Sequence, residues 1–241
     1  MNLLLLSADD LISPNCARFS DRRVQHLNTV LNVKHGDTIK VGIINGAICA
    51  AHIRHLDATS VELELAPEPK HKSPPPALPV TLIVALPRPK MLKRIIQTSA
   101  TLGVKRLHFI HSYRVEKSYW QTPLLRPDAV RQNLLLGLEQ AGDTMLPEVS
   151  LHKRFKPFVE DQLPEIVFGS QGLVAHPAAG TGVPSGVDEK ITLVIGPEGG
   201  FIPYEIEKLV AAGCTPVSLG PRILRVETAI PVLLSRLFST G

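Results

Sequence analysis

Cysteine is scarce in this chain. Cys16, Cys49 and Cys214 are the only three among 241 residues. Their number is odd and no two stand at metal-ligand spacing, which argues against a disulfide framework and against a zinc site. Reduced thiols are expected. Charged residues are no more than 20% against 44% hydrophobic residues, ordinary for a globular protein, so a packed core is expected and wholesale disorder is not. Long apolar runs are missing as well. The leucine run at residues 3–6 is far shorter than the roughly 18 residues a membrane helix needs. It has neither a basic flank nor a small-residue cleavage site, so it does not read as a signal peptide. It reads as a buried strand. A cytoplasmic protein with no membrane partner is expected. The nine histidines show no ligand spacing with a carboxylate partner, so no metal is expected either.

Charge is present, and its distribution is informative. Residues 1–75 carry eight Lys/Arg and eight Asp/Glu. Residues 88–117 carry Arg88, Lys90, Lys93, Arg94, Lys105, Arg106, Arg114 and Lys117 against the single acid Glu116. So one-sided a cluster suits a phosphate backbone, although a solvated helix face would look the same. The net charge of +4 and a pI near 9.0 point the same way.

Residues 1–66 read as a small β-barrel with one helix. Residues 38–44 and 48–53 are Ile/Val-rich, with the hairpin dipeptide Asn45-Gly46 between them. Residues 61–65 alternate apolar and acidic side chains. Over residues 21–33, Val24, Leu27, Val30 and Leu31 recur at helical spacing behind Asp21, a suitable N-cap. Residues 67–79 hold six prolines, a density that no helix or central strand tolerates, and read as a stiff linker. The expected domains are therefore 1–68 and 80–241, with 69–79 between them.

Residues 80–241 alternate strands and helices, the pattern of a mostly parallel sheet covered on both faces. Predicted strands lie at 80–86, 107–110, within 167–175, at 191–195 and at 217–219. Predicted helices cover 91–102, 131–141, 204–212 and 228–238. Two glycine-containing turns follow strands here: Gly196-Pro197-Glu198-Gly199-Gly200 and Leu219-Gly220-Pro221-Arg222. Carboxyl ends of parallel strands are where ligands bind such sheets, and glycines bring backbone amides close to a ligand. Neither turn is a dinucleotide or P-loop motif. Arg222, Arg225 and Glu227 gather charge beside the second turn. Tyr113, Tyr119 and Trp120 are available for base stacking, though packing is the commoner role of such aromatics.

The segments Leu193-Val-Ile-Gly-Pro-Glu-Gly-Gly-Phe201 and Leu219-Gly-Pro-Arg-Ile-Leu-Arg-Val-Glu-Thr-Ala229 resemble the two signature segments of the SPOUT superfamily. They are most similar to those of the RsmE family of 16S rRNA (uracil-N3)-methyltransferases. Weaker echoes include residues 26–31, Gly36-Asp37, Ser112 with Arg114, Glu139-Gln140 and residues 175–177. The resemblance implies an α/β fold in which a C-terminal SPOUT-type trefoil-knotted, mostly parallel sheet is preceded by a small PUA-like β-barrel. It implies S-adenosyl-L-methionine as cofactor, held by Ala175, His176, Pro177, Ile195, Gly196, Gly199, Gly200, Leu219, Gly220, Ile223, Leu224 and Arg225. It also implies 16S ribosomal RNA or the small ribosomal subunit as partner, and a homodimer. Within that frame Arg225 and Glu227 are the candidate catalytic residues, with Glu227 equally able to serve as an ion-pair partner of Arg222 or Arg225. Arg88, Lys90, Lys93, Arg94, Arg114 and Lys117 are the candidate RNA contacts. The chain departs from the family pattern at Asn32, Thr98, Thr101 and residues 143–145, positions of the kind that touch RNA. Two alternatives follow: a paralogue methylating a different nucleotide or a ribose 2′-OH, and a non-catalytic RNA-binding or ribosome-assembly protein.

Overall fold

The N-terminal leucines are buried, and Leu4–Leu6 form the first strand, β1. The computed structural model of the chain describes residues 2–67 and 70–238. Two short strands follow, β2 (Leu11–Ser13) and β3 (Cys16–Phe19). Asp21 then caps α1 (Arg22–His26), its side chain accepting the Arg23 amide, and the chain continues helically with a wider turn over Leu27–Leu31. Val24 and Leu27 point inward as their spacing predicted, whereas Val30 and Leu31 are exposed. Asn32 ends the run in the left-handed region at φ 50°, which asparagine tolerates better than most side chains.

The hairpin predicted around Asn45-Gly46 joins β4 (Thr38–Ile43) to β5 (Ile48–Leu56). In β6 (Val61–Leu65), Val61, Leu63 and Leu65 are buried and the two glutamates are half-exposed. The six strands form one curled sheet in the order β1-β4-β5-β6-β3-β2, antiparallel throughout except for β1 beside β4. Leu6, Phe19, Val24, Leu27, Val41, Ile53 and Leu63 pack together as its core. At its margin Arg23 is buried, bonded to both oxygens of Asp10 at 2.7 and 2.8 Å, to Asp21 and to the Leu5 carbonyl. These bonds hold the Asp10 carboxyl below its ordinary range despite the opposing effect of burial.

This first compact unit comprises Met1–Pro76 together with Leu135–Leu146. The second stretch is tied in by Asn2 and Leu3 amides donating to the Glu139 carbonyl, by an Arg22–Glu139 ion pair at 3.0 Å, and by the Thr144 hydroxyl on the Gly46 carbonyl at 2.6 Å. Asp143 and Thr144 are buried. Both pack inside this unit, where a Cβ on Gly42 would come within 2.5 Å of the Thr144 methyl. The proline-rich segment is partly pinned as well: Lys72 exchanges two backbone hydrogen bonds with Ile48. Glu68 and Pro69 of that segment lie outside the described residues.

The second unit comprises Ala77–Leu134 and Pro147–Gly241. Its elements are β7 (Val80–Ala85), α2 (Pro89–Thr101), β8 (Arg106–Ile110), α3 (Pro127–Ala141, whose last turns belong to the first unit), β9 (Glu148–His152), the short α4 (Phe155–Pro157) and α5 (Leu163–Val167), β10 (Gln171–Ala175), β11 (Ile191–Ile195), α6 (Pro203–Ala211), β12 (Cys214–Val217) and α7 (Val226–Leu237). The sheet is parallel throughout, in the order β12-β10-β11-β7-β8-β9. β7 and β11 lie at its centre and are buried along their whole length, as continuous apolar runs predict. The last strand lies three residues earlier than predicted. Pro216 argues against a strand interior, but β12 is an edge strand, where a missing amide costs no ladder bond. No helix among the described residues is long and apolar enough to cross a membrane.

Candidate active site

The carboxyl ends of β10, β11 and β12 lie side by side, with Ala175 level with Ile195 and with Val217. The three exit loops enclose a cavity of about 320 Å³, a size that suits a small organic ligand. Its walls include Ala175, His176 and Pro177 from the first loop, and Ile195, Gly196, Gly199 and Gly200 from the second. The third loop contributes Leu219, Gly220, Ile223, Leu224 and Arg225. All twelve residues singled out as cofactor contacts thus line one cavity.

Each loop has a local reason for its shape. The His176 amide donates to the Val217 carbonyl at 2.9 Å, and residues 181–183 bond on either side of Ser218, so the first loop runs beside the third. In the second loop the Gly200 amide closes a turn onto the Pro197 carbonyl, and Gly200 itself has φ 73°. Gly196 is hemmed in by Phe201: a Cβ there would come within 3.1 Å of the ring. Gly220 has φ 117°, which a side chain rarely accepts. Arg225 is the N-cap of α7 and is exposed at the rim.

Glu227 sits in the first turn of α7, half-buried and off the cavity lining. Among the described residues it makes no ion pair with Arg222 or Arg225. A carboxylate there also complements the helix dipole. The sequence reading did not single out Phe201, Val226, Ala229 or Leu233 as lining residues, though all four face the cavity. The last three recur at i, i+3 and i+7 along α7, a spacing that marks one helix face. Glu205, buried in α6, was also missed; a lone acid in an amphipathic helix gives no signal in sequence.

The basic residues lie along the same edge of the sheet. Arg88, Lys90, Lys93 and Arg94 are exposed at the start of α2, and Arg114 and Lys117 in the loop after β8. Arg114 differs from the others, because its guanidinium donates to the Gly199 carbonyl. Trp120 is half-buried and spends its indole N–H on His111 Nδ1 at 2.9 Å, so it packs, while Tyr113 is exposed. His108 and His152 stack on neighbouring strands with ring nitrogens 3.1 Å apart. Burial, then the neighbouring His152 and Arg106, lowers the His108 imidazole to about 4.

The family model described as RNA methyltransferase domain matches residues 74–238. The chain is 30% identical over 236 residues to the ribosomal RNA small subunit methyltransferase E of Treponema pallidum, covering 95% of this chain and 87% of that one. The chain belongs to this RNA methyltransferase family. It is also 29% identical to the Synechocystis ribosomal RNA small subunit methyltransferase E, covering 97% of this chain and 76% of the relative. In fold it resembles the crystal structure of a ribosomal RNA small subunit methyltransferase E from Neisseria gonorrhoeae bound to S-adenosyl methionine. The TM-score there is 0.77 at 22% identity, over 98% of this chain and 95% of the other.

Proposed function

We propose that this protein transfers a methyl group from S-adenosylmethionine to N3 of one uridine in 16S ribosomal RNA, using the cavity at the ends of β10, β11 and β12. The observation that carries the reading is the convergence of both signature segments, and of residues 175–177, on that single cavity.

The residues fit the cofactor. Ile195, Leu219, Ile223 and Leu224 offer apolar surface for an adenine ring. Gly196, Gly200 and Gly220 keep the loop backbone bare, so its amides and carbonyls can meet ribose and amino-acid groups. When bound, the sulfonium supplies an already activated methyl group, so the protein's part is mainly alignment. Arg225, at the cavity rim, binds the uracil and stabilises the negative charge its ring gains as the N3 proton leaves. Glu227, two residues on in the first turn of α7, is the candidate for orienting the uracil once RNA is bound. N3 lies on the pairing edge, so the uridine must enter unpaired or flipped out. Arg88, Lys90, Lys93, Arg94 and Lys117 hold phosphates along the neighbouring edge.

The reading includes a trefoil knot, supported by the contacts of residues 181–187 with Ser218 on one side and with the end of α7 on the other. It includes a PUA-like barrel for the first unit, supported by its curled sheet and single helix. It includes a homodimer, supported by Ile223, which stands 80% exposed at the cavity rim and would gain from a cover. The site of action is the cytoplasm, where ribosomal RNA is assembled.

The test offers labelled S-adenosylmethionine and small ribosomal subunits from cells lacking their own uridine-N3 methylase, with free 16S RNA and bulk tRNA in parallel. Label in 16S RNA, reduced on the order of a hundredfold or more by Arg225→Ala, supports the reading. Label only in tRNA overturns the substrate. Absence of both label and cofactor binding favours a non-catalytic RNA-binding protein.

A further inference from the structure

Arg114 stands in the basic strip, but its geometry differs from that of a phosphate contact. Its guanidinium donates to the carbonyl of Gly199, in the glycine loop that walls the cavity. Its aliphatic stem lies flat on the same residue: a Cβ on Gly199 would come within 2.9 Å of Arg114 Cδ and 3.4 Å of Arg114 Cβ. Gly199 lies outside the left-handed region, so the approach of Arg114, and not backbone conformation, is what crowds a side chain there.

A second bridge joins the same two loops. Glu205 is only 2% exposed, yet both carboxylate oxygens are used. One accepts the amide of Tyr113, next to Arg114, at 2.7 Å, and the other accepts the amide of Ile202, at the end of the glycine loop, at 3.0 Å. Glutamate at this place in a helix usually caps only its own N-terminus. Here it also reaches across to the loop after β8. Charged acceptors of backbone amides are among the stronger hydrogen bonds, and their loss in a buried setting is costly. Arg114, Gly199, Ile202, Glu205 and Tyr113 thus form a closed circuit around a loop whose glycines cannot anchor it themselves.

We infer that Arg114 is a positioning residue for the cofactor loop, braced by Glu205 through Tyr113, and not primarily a phosphate contact. The inference builds on the proposed S-adenosylmethionine site and adds to it a residue that shapes the loop from outside the cavity. The brace joins protein groups to one another, so it has a signature independent of the cofactor.

The experiment compares full-length wild type with Arg114→Met, Arg114→Lys and Lys93→Met. Arg114→Met keeps the stem but removes the donors. S-adenosylmethionine binding is measured by calorimetry without RNA, 16S RNA binding as a function of salt, and amide exchange across residues 197–202. Arg114→Met is expected to weaken cofactor binding about tenfold or more and to speed exchange at Gly200 and Ile202, with the salt slope of RNA binding unchanged. Arg114→Lys, which retains one donor, recovers part of the cofactor affinity. Lys93→Met does the reverse of Arg114→Met, lowering the salt slope by about 0.7–0.9 for one lost phosphate contact and leaving cofactor binding alone. A general loss of folding would move both ligands together and the thermal midpoint with them, which contradicts the inference. So does an Arg114→Met protein that binds cofactor normally and loses one phosphate's worth of salt slope. If the wild type itself binds no S-adenosylmethionine, the proposed function fails. The brace is then judged on exchange alone, and unchanged exchange at Gly200 and Ile202 overturns it.

Discussion

Gly220 shows how much of the pocket rests on single residues. It turns the chain out of β12 at φ 117° and lines the cavity. Gly220→Ala is expected to cost roughly 1–3 kcal/mol of strain and to weaken S-adenosylmethionine binding, read by urea unfolding and calorimetry on the same protein. Arg23 is the counterpart in the first unit. It is buried between Asp10 and Asp21, with its guanidinium over the Phe19 ring at 4.2 Å. Removing it strands the buried Asp10 carboxylate, so Arg23→Met is expected to lower unfolding free energy by about 3–5 kcal/mol, while an Asp10→Asn/Arg23→Met double variant regains part of that loss. Residues of this kind differ in how legible they are. The glycines and Arg225 were visible because turns after strands demand small residues and charge gathers at sites. Arg23 and Glu205 were not, because their burial depends on Asp10 and on the Tyr113 amide, which only the fold brings to them.

At the scale of elements, strands with an unbroken apolar run, β7 and β11, and the Asn45-Gly46 hairpin were legible, since burial on both faces and turn chemistry write themselves locally. β9 was not: it is an edge strand of mixed residues, Glu-Val-Ser-Leu-His, whose pairing with β8 depends on a neighbour some forty residues away. That pairing has a chemical consequence. β8 and β9 bring His108 and His152 together, and burial lowers both imidazoles, His108 to about 4. An unfolded histidine titrates near 6.5, so the unfolded chain binds more protons than the folded one between these values. Stability is therefore complete above about pH 6.5 and falls as pH drops from there toward 4. His108→Phe is expected to flatten that part of the curve in chemical unfolding at stepped pH. A variant with the wild-type slope would show that the histidine pair is not its source. The inner face of α7 belongs to this scale too. Val226, Ala229 and Leu233 close the cavity from the helix side, and their spacing was readable, but not what they would face.

For the whole molecule, the sequence pattern changes across the proline-rich segment, but the return of Leu135–Leu146 to the unit of Met1–Pro76 was not legible. That stretch reads as one amphipathic helix with its upstream half, and only three-dimensional contacts divide it. A homodimer predicts a mass twice the 26.2 kDa of the chain in sedimentation equilibrium. Ile223→Asp is expected to shift that balance toward single chains if a second copy covers the rim; a wild type that sediments as a single chain at micromolar concentration would remove the dimer from the account. The central claim concerns chemistry, and product identity tests it most directly. After reaction with small ribosomal subunits, the 16S RNA is digested to nucleosides and separated by chromatography with mass spectrometry. The account predicts one methylated product, N3-methyluridine, absent when the enzyme carries Arg225→Ala. A methyl group on a ribose 2′-oxygen or on another base would contradict it.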